Sequence, residues 1–242
     1  LKATSDTEIA PISKVQATRH YGATVELHGE NYDAAAERAH EIEQAAGMFY
    51  LPAFDDWDVM AGQGTIGLEV LEDLPGVDTV VVPIGGGGLI GGIATALAGK
   101  NPDVRVVGVQ AEGASSAADS LRKGEVYELN HVDTIADGIA TRRVGDETFD
   151  VIRERVDEVV TVSDAEIAVT VTYLLERSKT LAEGAGAVAL AALVFEAFDY
   201  DEREVVVPVL SGGNVDLNQL TTIIMRGLVE TGRYLKVRTV LK

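Results

Sequence analysis

The chain has 242 residues, 46% of them hydrophobic, no cysteine, and a net charge of −19 from 39 acidic and 20 basic side chains. That length and apolar share specify a packed core and exclude a disordered chain, and the missing cysteines exclude disulfides, thiolate metal sites and a cysteine nucleophile. The acidic balance argues against nucleic-acid and anionic-membrane partners, so an anionic ligand has to be held by local N–H groups.

The acids are scattered (Glu37, Glu41, Glu43; Asp55, Asp56, Asp58; Asp199, Asp201, Glu202) and read as solvated faces. The bland account of them is solubility. The sharper one is a halophilic adaptation to a salt-rich cytosol, where the screening length falls to about 3 Å at 1 M salt. No signal peptide or stop-transfer pattern is present, so the cytoplasm is the expected location. The chain starts at Leu1 and not at methionine, which points to a fragment or a processed form.

In chain order, residues 1–13 read as irregular and residues 14–21 as a short helix ending at Gly22. Residues 23–27 read as a strand and residues 32–45 as a helix ending at Gly47. A short strand is expected over 48–52. A helix follows over 58–74, interrupted by Gly62, Gly64 and Gly67. Residues 78–83 are a buried strand, with Val80, Val81 and Val82 at its centre. Four glycines, Gly85, Gly86, Gly87 and Gly88, come next. Leu89, Ile90, Ile93, Ala94 and Leu97 then continue at helical spacing.

A side-chain-free turn at a helix N-terminus aims backbone N–H groups and the positive end of the helix dipole at one spot. This is a cradle for a phosphate or carboxylate. Three rivals stand beside it. A plain structural turn has no need of four glycines and their entropy cost. A transmembrane helix is suggested by the lack of charge between Asp78 and Lys100, and opposed by Pro83 and the glycines. A dinucleotide site is suggested by Gly86-x-Gly88-x-x-Gly91, with Glu112 after the next strand.

That next strand spans 104–110. The pattern then weakens through residues 111–141, where Asp137-Gly138 reads as a turn. A helix over 147–156 and a strand over 158–162 follow. Ser163-x-x-Glu166 is a capping box opening a helix that runs to about residue 178. Glu183 precedes a small-residue helix over 187–198. A second apolar strand over 204–210 runs into Ser211-Gly212-Gly213-Asn214 and a helix over 216–231. Residues 234–241 read as a last strand. Alternating strands and helices specify a doubly wound α/β fold with a mostly parallel sheet. In such a sheet both glycine turns lie at the C-terminal edge, where open α/β sheets bind ligands. The four histidines, His20, His28, His40 and His131, have no metal-ligand spacing.

A phosphate-type loop, a hydroxyl on a second glycine turn and one acid among small residues suit a planar phosphorylated cofactor. The sequence closely resembles the fold-type II pyridoxal-phosphate enzymes, in particular the threonine dehydratase and serine racemase group. The phrases that carry the resemblance are APISKVQATRHYGA, AGQGTIGLEVLED, VVVPIGGGGLIGGIATAL, VVGVQAEGA, TIADGIAT, VVTVSDAEI, LAEGAGAVALAAL and VLSGGNVDLNQL. They appear in the family's order over residues 7–220 and displace the dinucleotide reading.

The resemblance implies a tryptophan synthase β-like fold. Residues 1–47 would belong to a partial small α/β domain, and 48–242 to the large cofactor-binding domain. It implies pyridoxal 5′-phosphate, its phosphate on Gly85, Gly86, Gly87, Gly88 and Leu89. Ser211 would face the ring nitrogen, Phe54 and Gly138 would line the ring, and Glu183 would sit near its substituents. It further implies β-elimination of threonine or serine to a 2-oxo acid and ammonia, a role in isoleucine biosynthesis, and a homo-oligomer or a complementing fragment as partner.

Two phrases of the family are absent: the SFKxRGA-like phrase that carries the Schiff-base lysine and the SxGNH phrase that cradles the substrate carboxylate. The expectation is therefore a truncated chain, impaired alone, with its catalytic residue unknown. The alternative is a non-catalytic relative that binds a phosphorylated ligand or a partner chain. No metal is expected, because Gln110, Ala114 and Ser116 stand where some racemase-like relatives carry their metal site.

Overall fold

The computed structural model describes residues 2–4, 12–29, 32–235 and 237. The chain divides into two compact units, Leu1–Pro52 and Ala53–Lys242.

In the first unit, strand β1 (Lys2–Thr4) pairs in parallel with β2 (Thr24–Glu26), around helices α1 (Ile12–His20) and α2 (Tyr32–Ala46). So residues 2–4 are a strand and not irregular. Arg38 pins α2 to β2, with Nε on Glu26 Oε1 at 2.7 Å and Nη1 on Glu41 Oε2 at 2.7 Å. The strand expected over 48–52 does not form. Its apolar run, Met48 to Leu51, has no ladder to join among the described residues. Tyr50 is instead tied back to α2, its N–H donating to Glu43 Oε1 at 3.0 Å and its ring 4.2 Å from that of His40.

The second unit opens with α3 (Trp57–Asp73), β3 (Thr79–Pro83), α4 (Gly88–Lys100) and β4 (Arg105–Ala111). It continues with α5 (Ser116–Lys123), α6 (Asp146–Arg155), β5 (Glu158–Val162) and α7 (Asp164–Arg177). It ends with α8 (Gly184–Val194), β6 (Val206–Pro208) and α9 (Leu217–Glu230). The strands form one sheet in the order β5-β4-β3-β6, and every pair is parallel.

Strand alternation splits the core in two. Val80 and Val82 face one apolar cluster with Ile90, Ile93, Leu97, Phe149 and Ile152. Val81, Val107 and Val109 face the other, with Val188, Ala189 and Ala192 of α8. Helices therefore cover both faces, and the fold is a doubly wound α/β sheet.

Three elements depart from expectation. The glycines of α3 do not interrupt it. Gly64 and Gly67 face α4 where the helices cross, and a Cβ there would lie 3.0 Å from Gly92 O and 3.1 Å from Ile93 O. Helix α8 starts at Gly184 and stops at Val194, because Glu196 turns the chain left-handed at φ 53°. Strand β6 keeps only three residues of the expected seven. Among the described residues it pairs with β3 alone, and the Asp78 carboxylate takes the Val205 N–H at 2.7 Å, outside the ladder.

The capping box is present with both of its bonds, Ser163 N to Glu166 Oε2 at 2.7 Å and Glu166 N to Ser163 Oγ at 3.3 Å. The last expected strand, over 234–241, lies mostly outside the described residues. Among those, no helix is long and apolar enough to cross a membrane.

Candidate active site

Strands β3 and β6 are neighbours and run the same way, so the two glycine turns leave the sheet at one edge. After β3, Gly87 adopts φ 100° and ψ −9°, the left-handed region that favours glycine, and caps α4 without a side chain. The first-turn N–H groups of α4, at Gly88 and Leu89, have no intrahelical acceptor, and the helix dipole adds positive potential there. Gly86, Gly87 and Gly88 are buried, and Gly85 and Leu89 half-buried.

No side chain fits on this loop. A Cβ on Gly86 would overlap the ring of Phe54, one on Gly88 would lie 3.0 Å from Phe54 Cα, and one on Gly87 would lie 2.7 Å from Thr148 Oγ1. The loop therefore presents only backbone, with its free N–H groups at the start of α4.

The second turn is joined to Glu183. The Glu183 N–H donates to Gly212 O at 3.1 Å, and a Cβ on Gly212 would overlap Glu183 Oε1. A Cβ on Gly186 would overlap Gly212 O, so the small residues at the start of α8 let that turn approach. Gly138 closes the chain of contacts. A Cβ there would lie 2.9 Å from Ala185 Cβ and 3.7 Å from Glu183 Oε1, and one on Gly85 would lie 3.1 Å from Ile139 Cα. Asp164 holds the segment before Gly138, accepting from Thr134 Oγ1 at 2.6 Å and from Arg226 Nη1 at 3.1 Å.

Gly85, Gly138, Glu183 and the Ser211 turn are thus contiguous. Ser211 is exposed and Glu183 half-buried. Phe54 lies on the glycine loop itself, against Gly86 and Gly88.

Two residues of this constellation escaped the sequence reading. Asp55 was grouped with Asp56 and Asp58 as a solvated face. Its carboxylate instead receives the N–H groups of Asp146, at 3.0 Å, Glu147, at 3.0 Å, and Thr148, at 3.1 Å, capping α6. Asp56 caps α3 by accepting from Asp58 N at 2.8 Å and Val59 N at 3.1 Å. An acid just before a helical run is a legible signal for the second cap. Nothing local signals the first. Thr148 was read only as part of a helix, yet it is fully buried and donates Oγ1 to Gly86 O at 2.7 Å. Gln110 also has a structural role, its Oε1 accepting from Ala117 N at 2.9 Å and Ala118 N at 3.0 Å.

The model of one protein family, described as pyridoxal-phosphate dependent enzyme, matches residues 6–212, which include both glycine turns up to Gly212. The chain belongs to the pyridoxal-phosphate dependent enzyme family. Among its relatives in this family is an L-threonine ammonia-lyase of Geobacter sulfurreducens, 51% identical over 231 residues, 96% of this chain and 57% of that protein. The processed form of threonine deaminase isoform 2 from Solanum lycopersicum superimposes with a TM-score of 0.85 at 35% identity, covering 93% of this chain and 62% of that one. Maize serine racemase gives a TM-score of 0.85 at 31% identity, covering 96% of this chain and 71% of that one. The chain thus spans 57% of the length of the ammonia-lyase that it matches. Its fold is that of the fold-type II members of the family.

Proposed function

We propose that this chain carries the cofactor site of a pyridoxal-phosphate-dependent ammonia-lyase acting on threonine or serine. The observation that supports it most is the buried glycine loop, on which no Cβ can be placed without meeting Phe54, Thr148 or Ile139. In this reading residues 48–242 form the larger, cofactor-binding domain and residues 1–47 part of a smaller one.

The N–H groups of Gly85, Gly86, Gly87, Gly88 and Leu89 hold the phosphate, and the α4 dipole adds to the attraction. Phe54 and Gly138 would line the ring, Ser211 would hydrogen-bond the ring nitrogen, and Glu183 would sit near the ring substituents. When bound, the cofactor supplies an electron sink for the Cα of the amino acid. A neutral hydroxyl at Ser211 stabilises a protonated ring less than a carboxylate would. It would therefore make the bound cofactor a weaker electron sink, which suits loss of a β-substituent. The net reaction removes the Cα proton and the β-hydroxyl as water, and hydrolysis then gives a 2-oxo acid and ammonia. This chain alone is expected to be impaired; whatever L-threonine it turns over with pyridoxal phosphate is expected to give 2-oxobutanoate and ammonia in equal amounts. Threonine consumed without 2-oxobutanoate would sink the elimination reading.

A second reading, a non-catalytic relative that binds a phosphorylated ligand, is favoured by the lysines. Among the described side chains, Lys100, Lys123 and Lys179 are exposed. Lys100 stands at the far end of α4 from the cradle, and Lys179 Nζ donates to Glu176 O at 2.7 Å. Saturable cofactor binding, with no turnover and no lysine labelled by borohydride, would select this second reading.

The proposed setting is a homo-oligomer in a salt-rich cytoplasm, supplying isoleucine biosynthesis. The net charge of −19 supports the salt assignment, since screening relieves self-repulsion. The melting temperature is expected to rise by at least about 5 °C between 0.1 M and 2 M KCl. A melting temperature that is flat or falls with salt would remove the halophilic assignment.

A further inference from the structure

The carbonyl of Gly86 accepts two hydrogen bonds, from Thr148 Oγ1 at 2.7 Å and from Gly145 N at 3.1 Å. Both donors belong to the start of α6, Gly145 as its cap residue and Thr148 in its first turn. In a trans peptide the C=O and the N–H of the next residue point in opposite directions. Two donors gripping Gly86 O therefore turn the Gly87 N–H away from α6. If the 86–87 peptide rotated, the fully buried Thr148 hydroxyl would lose its 2.7 Å bond and keep only the longer contact to Gly145 O at 3.3 Å.

The first turn of α6 is fixed in its turn by Asp55, whose carboxylate receives three of its N–H groups. That carboxylate also occupies the N-terminus of α6, so the open end facing the loop is that of α4. The residue before Asp55 is Phe54, which lies against Gly86 and Gly88. One dipeptide thus holds both the glycine loop and the helix that sets the loop's peptide plane.

We propose that Thr148 and Asp55 are positioning residues for the cradle. Thr148 orients the 86–87 peptide so that its N–H faces a bound phosphate, and Asp55 holds Thr148 in register. The proposal rests on the reading of Gly85 to Gly88 as a phosphate site.

The test compares pyridoxine 5′-phosphate with pyridoxine by titration calorimetry. Neither carries an aldehyde, so binding needs no lysine, and the ratio of the two affinities reports the phosphate contribution alone. In Thr148→Val, which keeps the shape and loses the hydroxyl, that ratio is expected to fall at least about tenfold while pyridoxine affinity stays within about twofold. Thr148→Ser is expected to retain the ratio within about threefold, because it restores the donor. Asp55→Asn is expected to lower the ratio about three- to tenfold, since it keeps one acceptor and loses the charge at a helix N-terminus.

An unchanged ratio in Thr148→Val, or an equal weakening of both ligands, would overturn the positioning role. Should Thr148→Val prove unfolded by circular dichroism, the same ratio in Asp55→Asn decides. Wild-type protein with no preference for the phosphorylated ligand would instead refute the phosphate site itself.

Discussion

Gly86→Ala is expected to weaken phosphate-dependent ligand binding severely. The added Cβ would overlap Phe54 Cγ and both Cδ atoms. The ring cannot slide aside with its backbone, because the next two residues, Asp55 and Asp56, cap α6 and α3. Either the loop moves off the Thr148 hydroxyl or the ring swings out. Overpacking of this kind costs about 1–3 kcal/mol of stability. Displacing the loop by even a few tenths of an ångström misaims several N–H groups together, so affinity for pyridoxine 5′-phosphate is expected to fall at least about 30-fold. Calorimetry on the folded variant checks this, and wild-type affinity would contradict it. Phe54→Ala placed in the Gly86→Ala background is expected to recover part of the loss, because the two substitutions share one contact.

The second large effect concerns stability and not the ligand. Gly92→Ala is expected to lower the unfolding free energy by about 3 kcal/mol, at the upper end of the range for overpacked positions. A Cβ on Gly92 would overlap Met60 O and lie 2.7 Å from Gly64 N, both backbone atoms of α3. No rotamer change relieves a clash with backbone, so α3 and α4 must separate. Gly99→Ala is the control. It lies in the same helix with nothing within 4 Å of the added atom. There the usual gain of alanine over glycine, up to about 1 kcal/mol, is expected. Helix propensity favours alanine at both positions, so opposite signs isolate the helix crossing. Two equal, small effects in denaturant titrations would mean that the helices are not in backbone contact.

Local signals carried most of the fold. The apolar run at Val80 to Val82, the glycine turn and the helical spacing after Leu89 define β3 and α4 without reference to the rest of the chain. Ser163 announces its helix because a cap bonds within three residues of itself. Reading failed where the deciding partner is distant in sequence. Residues 48–52 are a short apolar run that suits a strand, but a strand needs a ladder. Val205 looks like strand, but Asp78, 127 residues away, takes its N–H.

At the site the same division holds. The cradle can be read from its own glycines. The fit of Gly138 and Glu183 around Gly212 depends on three separate segments, and their meeting at one point has no local signal. Asp55 is the sharpest case. In sequence it is one acid in an acidic run, and its partners begin 91 residues later. The glycines of α3 misled in the opposite direction: their composition suggests a break, whereas the space they leave is filled by α4.

The most direct test of the cradle is a crystal structure of the chain with pyridoxine 5′-phosphate. The expected result is phosphate oxygens within about 3 Å of N–H groups among Gly85 to Leu89, with the ring lined by Phe54 and Gly138 and its nitrogen at Ser211. A phosphate seated anywhere else, or no ligand on the glycine loop at saturating concentration, would contradict it.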